Sequence, residues 1–524
     1  MTASAATPPD PRAGLPEGLA TRLTRRVAAT TRRPTTVTAP FTGAPLAELP
    51  QSSGEDIEAA FARAREAQAA WARVAPALRV KPFLRFSDLV LRRQREILDI
   101  LQWETGKARR HAFEEVYDAA AATLYYARRA PAMLRPRRVT GAMPVATRAE
   151  VNHHPKGVVS VITPWNYPLT LPLADAVPAL LAGNAVIAKP DTQTALSALW
   201  AMDLLEECGL PQNLWIPVVG EPADIGEALV DSADHVAFTG STTAGATIAE
   251  RCGARLIGCS AELGGKNPMV VRADADVERT VRGTLRAAFS NAGQLCIAAE
   301  RLYVHESIHD RFVDRLASAV AGMELNSRFD FSADMGSLTY ARQLDRTDEH
   351  VRDAVARGAE VLAGGHARPD LGPLFYAPTV LAGVGPEMAS CRAETFGPLL
   401  AVAPFADDEE AVAMANDSDL GLNASVWTRD ETRGRLLAAR IQAGTVNVND
   451  GYGAAFASYG GPMGGMKRSG LGRRHGPEGL LRFTEPQTVA TQRLLALDGT
   501  PVFDPETWTK VMTRAGHWMR RLRL

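Results

Sequence analysis

The chain has 524 residues, too many for one ordinary domain, so two or three are expected. Hydrophobic residues make up 46% and charged residues 22%, the composition of a soluble globular protein. With 58 Lys+Arg against 59 Asp+Glu the formal charge is -1, which argues against nucleic acid or an acidic polymer as partner. No apolar run approaches the ~18–20 residues of a membrane span; residues 176–188 come nearest and are broken by Pro178, Gly183 and Asn184. Five cysteines, odd in number and without CxxC spacing, argue against a disulfide framework and a metal site. They fit a reducing, cytoplasmic setting.

The first forty residues carry arginines among Ala, Thr and Pro and show no secretory h-region, so residues 1–34 read as a flexible extension that includes a short helix; a transit peptide is the alternative. Residues 53–74 have helical periodicity behind a Ser-Gly-Glu-Asp start, and more helix follows to about Ala130. Beyond Arg135 strand-like runs and helices alternate: "AVIAKP" leads into a helix, as does "HVAFTGS", and "GARLIGCSAELGG" leads into "NPMVV". That is the pattern of βαβ units around a parallel sheet. A second alternating block begins near Glu300 and runs through "RLYVHE", "APTVLAGV", "LLAVAPF", "ASVWT" and "GTVNVND" to a glycine-rich loop at 459–476. Residues 481–492 look like an edge strand. The last segment puts Trp508, Val511, Met512, Ala515, Trp518, Met519 and Leu522 on one helical face, with five basic residues and no acid elsewhere on it. Such a helix docks on a neighbouring subunit or, less in keeping with the rest of the chain, lies on a membrane surface.

Chemistry is concentrated in a few strand-to-loop junctions. "FTGSTTAG" follows an apolar strand and opens a helix, where Gly240 allows a tight turn and Ser241 can reach an anion beside free helix-start N–H groups. "IAKPDTQT" puts Lys189 at a strand's carboxyl end, suited to a nucleotide ribose or phosphate. "TPWNYP" holds Trp165 and Asn166 between two prolines, and a fixed amide can donate to a developing oxyanion. "AELGGKNP" ends an apolar strand with Glu262, a carboxylate whose surroundings can raise its pKa and make it a base. "FSNAGQLCIAAER" sets Cys296 among small residues with no histidine near it; it reads either as a reactive thiol or as a small buried hydrophobe.

Taken in order, these segments, with "ETFGP", "NDSDLGLNASVWT" and "PMGGMKRSGLG", resemble the aldehyde dehydrogenase superfamily from about residue 35 to 495. "KPDTQT", "FSNAGQLCIAAERLYV" and "GRRHGPEGLL" are most similar to NADP-type succinate-semialdehyde dehydrogenases of actinobacteria. The resemblance implies that the Cys296 thiolate attacks an aldehyde, that Asn166 and the Cys296 N–H hold the oxyanion, and that Glu262 activates water against the thioester left after hydride transfer. It answers the question about Cys296 in favour of a nucleophile. The small "NAGQ" setting is then expected to be flexible and to let the backbone approach the substrate. A papain-like hydrolase is disfavoured by the nucleotide turns, and a CoA-acylating relative by the presence of Glu262.

For the cofactor, the resemblance assigns Lys189, with Pro190, Asp191 and Thr192 beside it, to the adenosine ribose or its 2′-phosphate. Gly240 and Ser241 meet the pyrophosphate, Trp165, Asn166 and Leu263 the nicotinamide side, Glu394 its ribose, and Phe396 packs near that ring. NAD-preferring relatives often carry a glutamate at the Thr192 position; threonine removes a charge that repels a 2′-phosphate, so NADP is expected, with NAD usable. Two arginines that bind the substrate carboxylate in known succinate-semialdehyde relatives are Ser290 and Ala174 here. Arg286 and Arg301 are candidate replacements, while Tyr167, Phe456 and Tyr459 suit an uncharged aromatic or aliphatic aldehyde. Succinate semialdehyde is placed first, and a cofactor-binding relative without turnover last.

The expected fold is α/β. A Rossmann-type cofactor domain comes from residues 35–135 and 155–264, and an α/β catalytic domain from 265–480. A small β oligomerisation element is expected from 136–154 and 481–496, with 497–524 a basic amphipathic extension. The edge strand in the β element predicts a homodimer or homotetramer.

Overall fold

The structure is a computed structural model that describes residues 14–30, 33–140, 147–493, 499 and 502–521. Two open sheets and a small third one organise the chain. The first sheet contains β1 (Val158–Ile162), β2 (Ala185–Lys189), β3 (Trp215–Pro217), β4 (His235–Thr239) and β5 (Gly258–Glu262) in the spatial order β3-β2-β1-β4-β5, all parallel. Strands such as VVSVI and HVAFT are apolar on both faces because helices cover both sides of such a sheet. A short strand, Gly470–Leu471, adds antiparallel to β5, pairing Gly470 with Glu262. Part of the segment expected in the catalytic domain therefore completes the first sheet.

The second sheet is built from β6 (Asn267–Val271), β7 (Ala299–His305), β8 (Glu360–Ala363), β9 (Thr379–Ala382), β10 (Leu399–Phe405), β11 (Asn423–Trp427) and β12 (Thr445–Val448). Its order is β8-β9-β10-β7-β6-β11-β12, parallel except for β8. The alternating α/β pattern of the sequence is thus borne out.

Four helices position the site. α1 (Arg109–Met133) packs on α2 (Thr170–Ala182), which is apolar nearly all round and buried accordingly. α2 stops at Gly183, whose φ of 101° supplies the left-handed turn that ends many helices. α3 (Thr242–Ala254) starts at Ser241, whose hydroxyl accepts from Ala244 N at 3.3 Å. α4 (Val277–Phe289) starts at Asp276 and runs directly into the Cys296 loop. One hydrophobic core joins residues 19–134 to the first sheet and to Leu480 and Phe483; a second lies around the other sheet.

Thr484–Gln492 pairs along its whole length with Thr147–Pro155, which also pairs with Arg137–Val139. Thr484–Gln492 is an edge of that sheet, and its side chains beyond Thr484 are exposed. The N-terminal helix spans Leu19–Thr24 and the C-terminal one Pro505–Arg521; Leu522 of the anticipated apolar face, like residues 1–13, lies outside the described residues. Among the described residues no helix is long and apolar enough to cross a membrane.

Candidate active site

Strand order reverses between β1 and β4, and in open α/β sheets ligands bind at the carboxyl ends of the strands flanking such a point. The segments that leave β1 and β4 there are Pro164–Trp165–Asn166 and Gly240–Ser241. Both line a cavity of 160 Å³, together with Leu263, Gly264, Glu394 and Phe396. A second cavity, of 250 Å³, adjoins it. Cys296, Asn166 and Glu262 line both cavities.

The loop that carries Cys296 is not the flexible setting expected from its small residues. Asn291 and Ala292 have φ of 51° and 54°, and Gly293 has φ of 72°, three successive residues in left-handed conformation. Each non-glycine residue held so costs about 1–3 kcal/mol unless its surroundings compensate. Here they do. Asn291 Nδ2 donates to Asn166 O at 3.0 Å and to Gln294 O at 3.1 Å, and Asn291 N donates to His111 Nδ1 at 3.1 Å. Gln294 Nε2 returns a bond to Asn291 O at 3.0 Å, and Gln294 Oε1 accepts from Thr339 N at 3.0 Å. A side chain on Gly293 would put its Cβ 2.1 Å from Gly397 O. Small residues are needed for a close, rigid turn, not for freedom.

Cys296 is partly buried, open toward the cavities it lines. Burial, with the carboxylates of Glu394 and Glu262 adding to it, pushes its thiol up to about 12. The resting group is therefore a thiol, and a base must take its proton before it can attack. Among the described residues no backbone acceptor takes the Cys296 N–H. Asn166 spends one amide hydrogen on Gln294 O at 3.1 Å and keeps the other. Its backbone is fixed by Lys107, whose Nζ donates to Asn166 O at 2.7 Å, pairs with Glu115 and lies 4.1 Å from the centroid of the Tyr167 ring. Lys107 and Glu115 are both fully buried.

Glu262 ends β5, is 6% exposed, and its Oε1 has no hydrogen-bond partner. Burial raises its pKa to about 7, so near neutral pH it moves between carboxylate and acid. Glu394 accepts from Gly265 N at 2.9 Å and is likewise raised to about 7 by burial. Next to it Phe396, at φ 54°, is held by Glu300, which accepts from Thr395 N and Phe396 N, and by Gln343 Nε2, which donates to Phe396 O at 2.8 Å. The Phe396 ring meets Trp165 edge-on at 5.5 Å.

The segment that leaves β2 is largely buried. Lys189 closes β2, 7% exposed, and burial lowers its pKa; Thr192 begins the short turn that follows. Lys189, Pro190, Asp191 and Thr192 do not line the 160 Å³ cavity but stand beyond β1 from it. Asp191 is occupied: its Oδ1 accepts from Tyr340 Oη at 2.5 Å and from Gln193 N at 3.1 Å. Gly240 is not in the left-handed region. A Cβ there would fall 2.5 Å from the Phe238 ring, so lack of bulk is the requirement and not an unusual turn angle. Gly245 serves the same end in α3, where a Cβ would sit 2.4 Å from Leu263 Cδ2.

On the other side Tyr167, Phe456 and Tyr459 line the larger cavity with Ala174 and Tyr452. Ser290 does not line it; its Oγ bonds the Tyr452 hydroxyl at 2.9 Å. Of the two candidate replacement arginines, Arg286 lines the cavity, half exposed, 3.3 Å from Glu114 and over the Tyr452 ring. Arg301 does not: its guanidinium is used up on carbonyls of Lys266, Met414 and Ala415. Lys107 and Glu115 stand outside every motif, and Asn291, Gln294 and Glu300, though inside "FSNAGQLCIAAER", show no role there, because the bonds to Asn166, Thr339 and Thr395 reach partners far away in sequence.

Known proteins share this architecture. Residues 27–489 match the aldehyde dehydrogenase family model. A Mycolicibacterium smegmatis protein named "Putative succinate-semialdehyde dehydrogenase (NADP+)" is 51% identical over 473 residues, 90% of this chain and 92% of the relative. The 4,4′-diapolycopene aldehyde oxidase of Methylomonas is 38% identical over 87% of this chain and 85% of its own. Among solved structures, an E. coli NADP-dependent enzyme superposes with TM-score 0.86 at 31% identity, over 90% of this chain and 99% of that one. The chain belongs to the aldehyde dehydrogenase family.

Proposed function

We propose that the protein oxidises succinate semialdehyde to succinate with NADP, through a covalent intermediate on Cys296. The observation that carries this reading is that Cys296, Asn166 and Glu262 line both cavities, so a substrate carbonyl entering from one side can meet a cofactor entering from the other. The smaller cavity suits a dinucleotide. It sits at the strand-order reversal, meets the N-terminus of α3 with its free N–H groups, and has backbone closeness secured by Gly240 and Gly245. Gly240 and Ser241 would hold the pyrophosphate, Glu394 the nicotinamide ribose, Trp165, Leu263 and Phe396 the ring, and Lys189 and Thr192, flanked by Pro190 and Asp191, the adenosine side. The bound cofactor supplies a hydride acceptor.

Cys296 Sγ attacks the aldehyde carbon as its proton passes to a base, and Glu262, in its charged form, is the carboxylate that lines both cavities with it. The oxygen that becomes anionic accepts from Asn166 Nδ2 and Cys296 N–H, both fixed before the substrate arrives, which is worth on the order of 10²–10³ in rate per donor. Loss of hydride from the same carbon leaves a thioester on Cys296. Glu262, once it has released the thiol's proton to solvent, then removes a proton from water as that water attacks and returns it to the departing sulfur, so the acid leaves with the thiol restored. NADP preference rests on the absence of an acidic residue at Thr192 and on the named relative. Arg286 at the cavity mouth receives the substrate carboxylate in place of Ser290 and Ala174.

A second reading, an uncharged aliphatic or aromatic aldehyde, is favoured by the aromatic and aliphatic lining of the larger cavity and by the Methylomonas relative's name. The test compares kcat/KM for NADPH formation from succinate semialdehyde and from butanal. A preference for the charged substrate supports the first reading; a preference for butanal moves the assignment to the second. We infer further that the exposed edge strand Thr484–Gln492 joins a second copy, making a homo-oligomer, which light scattering checks.

A further inference from the structure

Behind Glu262 lies a charged cluster that the mechanism above does not use. Asp175, on α2 and fully buried, accepts from Arg474 Nε at 3.0 Å and from Arg474 Nη2 at 2.5 Å, and also pairs with Arg482. Arg474 Nη2 donates a further bond to Thr239 Oγ1 at 2.5 Å, at the end of β4. Arg474 itself lines the larger cavity alongside Glu262 and Cys296. Two guanidinium groups thus share one carboxylate, and one positive charge is left uncompensated in a buried place. A buried charge of that kind is costly unless an opposite one stands near it. Glu262 lines the same cavity as Arg474, and its Oε1 has no hydrogen-bond partner among the described residues.

We propose that Arg474, clamped by Asp175, is a positioning residue that keeps Glu262 charged for the hydrolytic half of the reaction. This rests on the reading of Glu262 as the base. Arg474 cannot pass a proton itself, because a guanidinium is not deprotonated in proteins. It acts through its field. The clamp matters as much as the charge: a guanidinium free to form a two-pronged bond with Glu262 would stabilise the anion so far that it could no longer take a proton from water. By engaging Nε and Nη2, Asp175 and Thr239 hold the cation at a distance from which it assists without binding. The charged and titratable groups that act on Glu262 are Arg473 and Arg474 from the glycine-rich loop, Arg482 at the end of the short helix Gly476–Leu481, Asp175 from α2, and Cys296. Burial is the largest influence on Glu262 and favours its acid form; Arg474 and then Arg482 oppose it, and Asp175 works against them.

Charge arithmetic gives the test its direction. Arg474, Arg482 and Asp175 sum to one positive charge in the wild type, to zero in Arg474→Gln, to two in Asp175→Asn, and again to one in the double variant. The readout is the acid limb of the steady-state rate against pH, with the pre-steady-state burst of NADPH measured beside it to separate acyl-enzyme formation from hydrolysis. Arg474→Gln is expected to move the limb up by about one unit, a rate about fivefold lower at pH 7 that recovers by about pH 9. Asp175→Asn is expected to move it down, Arg474→Lys to keep it in place, and the double variant to bring it back near the wild-type position. Arg482→Gln, at a less buried site, should move it up and serves if the Arg474 variant does not fold. Opposite shifts support the proposal. Equal loss at every pH, or shifts of the same sign in Arg474→Gln and Asp175→Asn, overturn it in favour of a purely structural pair. Glu262→Gln distinguishes the underlying reading: if the limb survives there, Glu262 is not the base, whatever Arg474 does.

Discussion

The two cavities that meet at Cys296 are built in different ways. The smaller cavity is shaped largely at strand ends, where Trp165, Gly240 and Leu263 lie within a few residues of β1, β4 and β5. The larger cavity is shaped by side chains drawn from α1, α2 and the 452–475 region, the last of them hundreds of residues away in sequence. A short motif can specify the first, because strand, turn and helix start are one local unit. Nothing short can specify the second. Its polar groups are also mostly spent on each other: Tyr459 Oη donates to Asp118, Tyr452 Oη to Glu114, and Glu115 is paired with Lys107. The contrast suggests a cofactor side that constrains chemistry and a substrate side that can be retuned by single side chains.

Variants can break or sharpen that contrast. The largest effect belongs to the point the cavities share. Cys296→Ala should lower turnover on the order of 10⁴-fold or more while leaving cofactor binding intact, which fluorescence titration of NADPH checks. Next, Glu262→Gln should slow steady-state turnover on the order of 10²–10³-fold and slow the burst of NADPH as well, because one carboxylate serves both the thiol and the attacking water. In the wild type the same group implies a rate that falls as pH drops through about 7, where the carboxylate takes up a proton. A flat profile from pH 6 to 8 would contradict this.

On the cofactor side, Thr192→Glu should shift selectivity from NADP toward NAD on the order of tenfold to a hundredfold, by placing a negative charge against the 2′-phosphate. The ratio of kcat/KM values for the two cofactors reads this directly. The smallest change is on the substrate side. Arg286→Gln should raise KM for succinate semialdehyde about tenfold and leave KM for butanal unchanged, a modest effect because the guanidinium is half exposed and already beside Glu114. An equal change for both substrates would deny Arg286 a role in binding the carboxylate.

Much of the fold is legible in the sequence because its signals are local. Apolar runs such as VVSVI and LLAVAPF, each closed by a turn or helix start, mark buried parallel strands wherever they occur. Many of the residues brought together around the cavities stand at those strand ends, so Trp165, Asn166, Gly240, Ser241 and Glu262 can be picked out from the order of residues alone, whereas Leu263 comes with the family resemblance. Glu394 and Phe396 come only with the family resemblance. The Cys296 loop misleads for a local reason too: small residues look flexible in sequence, and only the distant donors and acceptors His111, Asn166 and Thr339 reveal that they are held in a left-handed turn.

The amino-acid sequence by itself therefore determined the α/β class, the strands and the candidate nucleophile and base, since hydrophobic periodicity, turn residues and helix caps act over a few residues. Tertiary structure alone decided which arginine reaches the substrate side, that Lys107 anchors Asn166, and that Asp175 and Arg474 stand behind Glu262. Those are meetings of charges across 59 to 299 positions of chain, and a charge buried without its partner in view cannot be told from one on the surface.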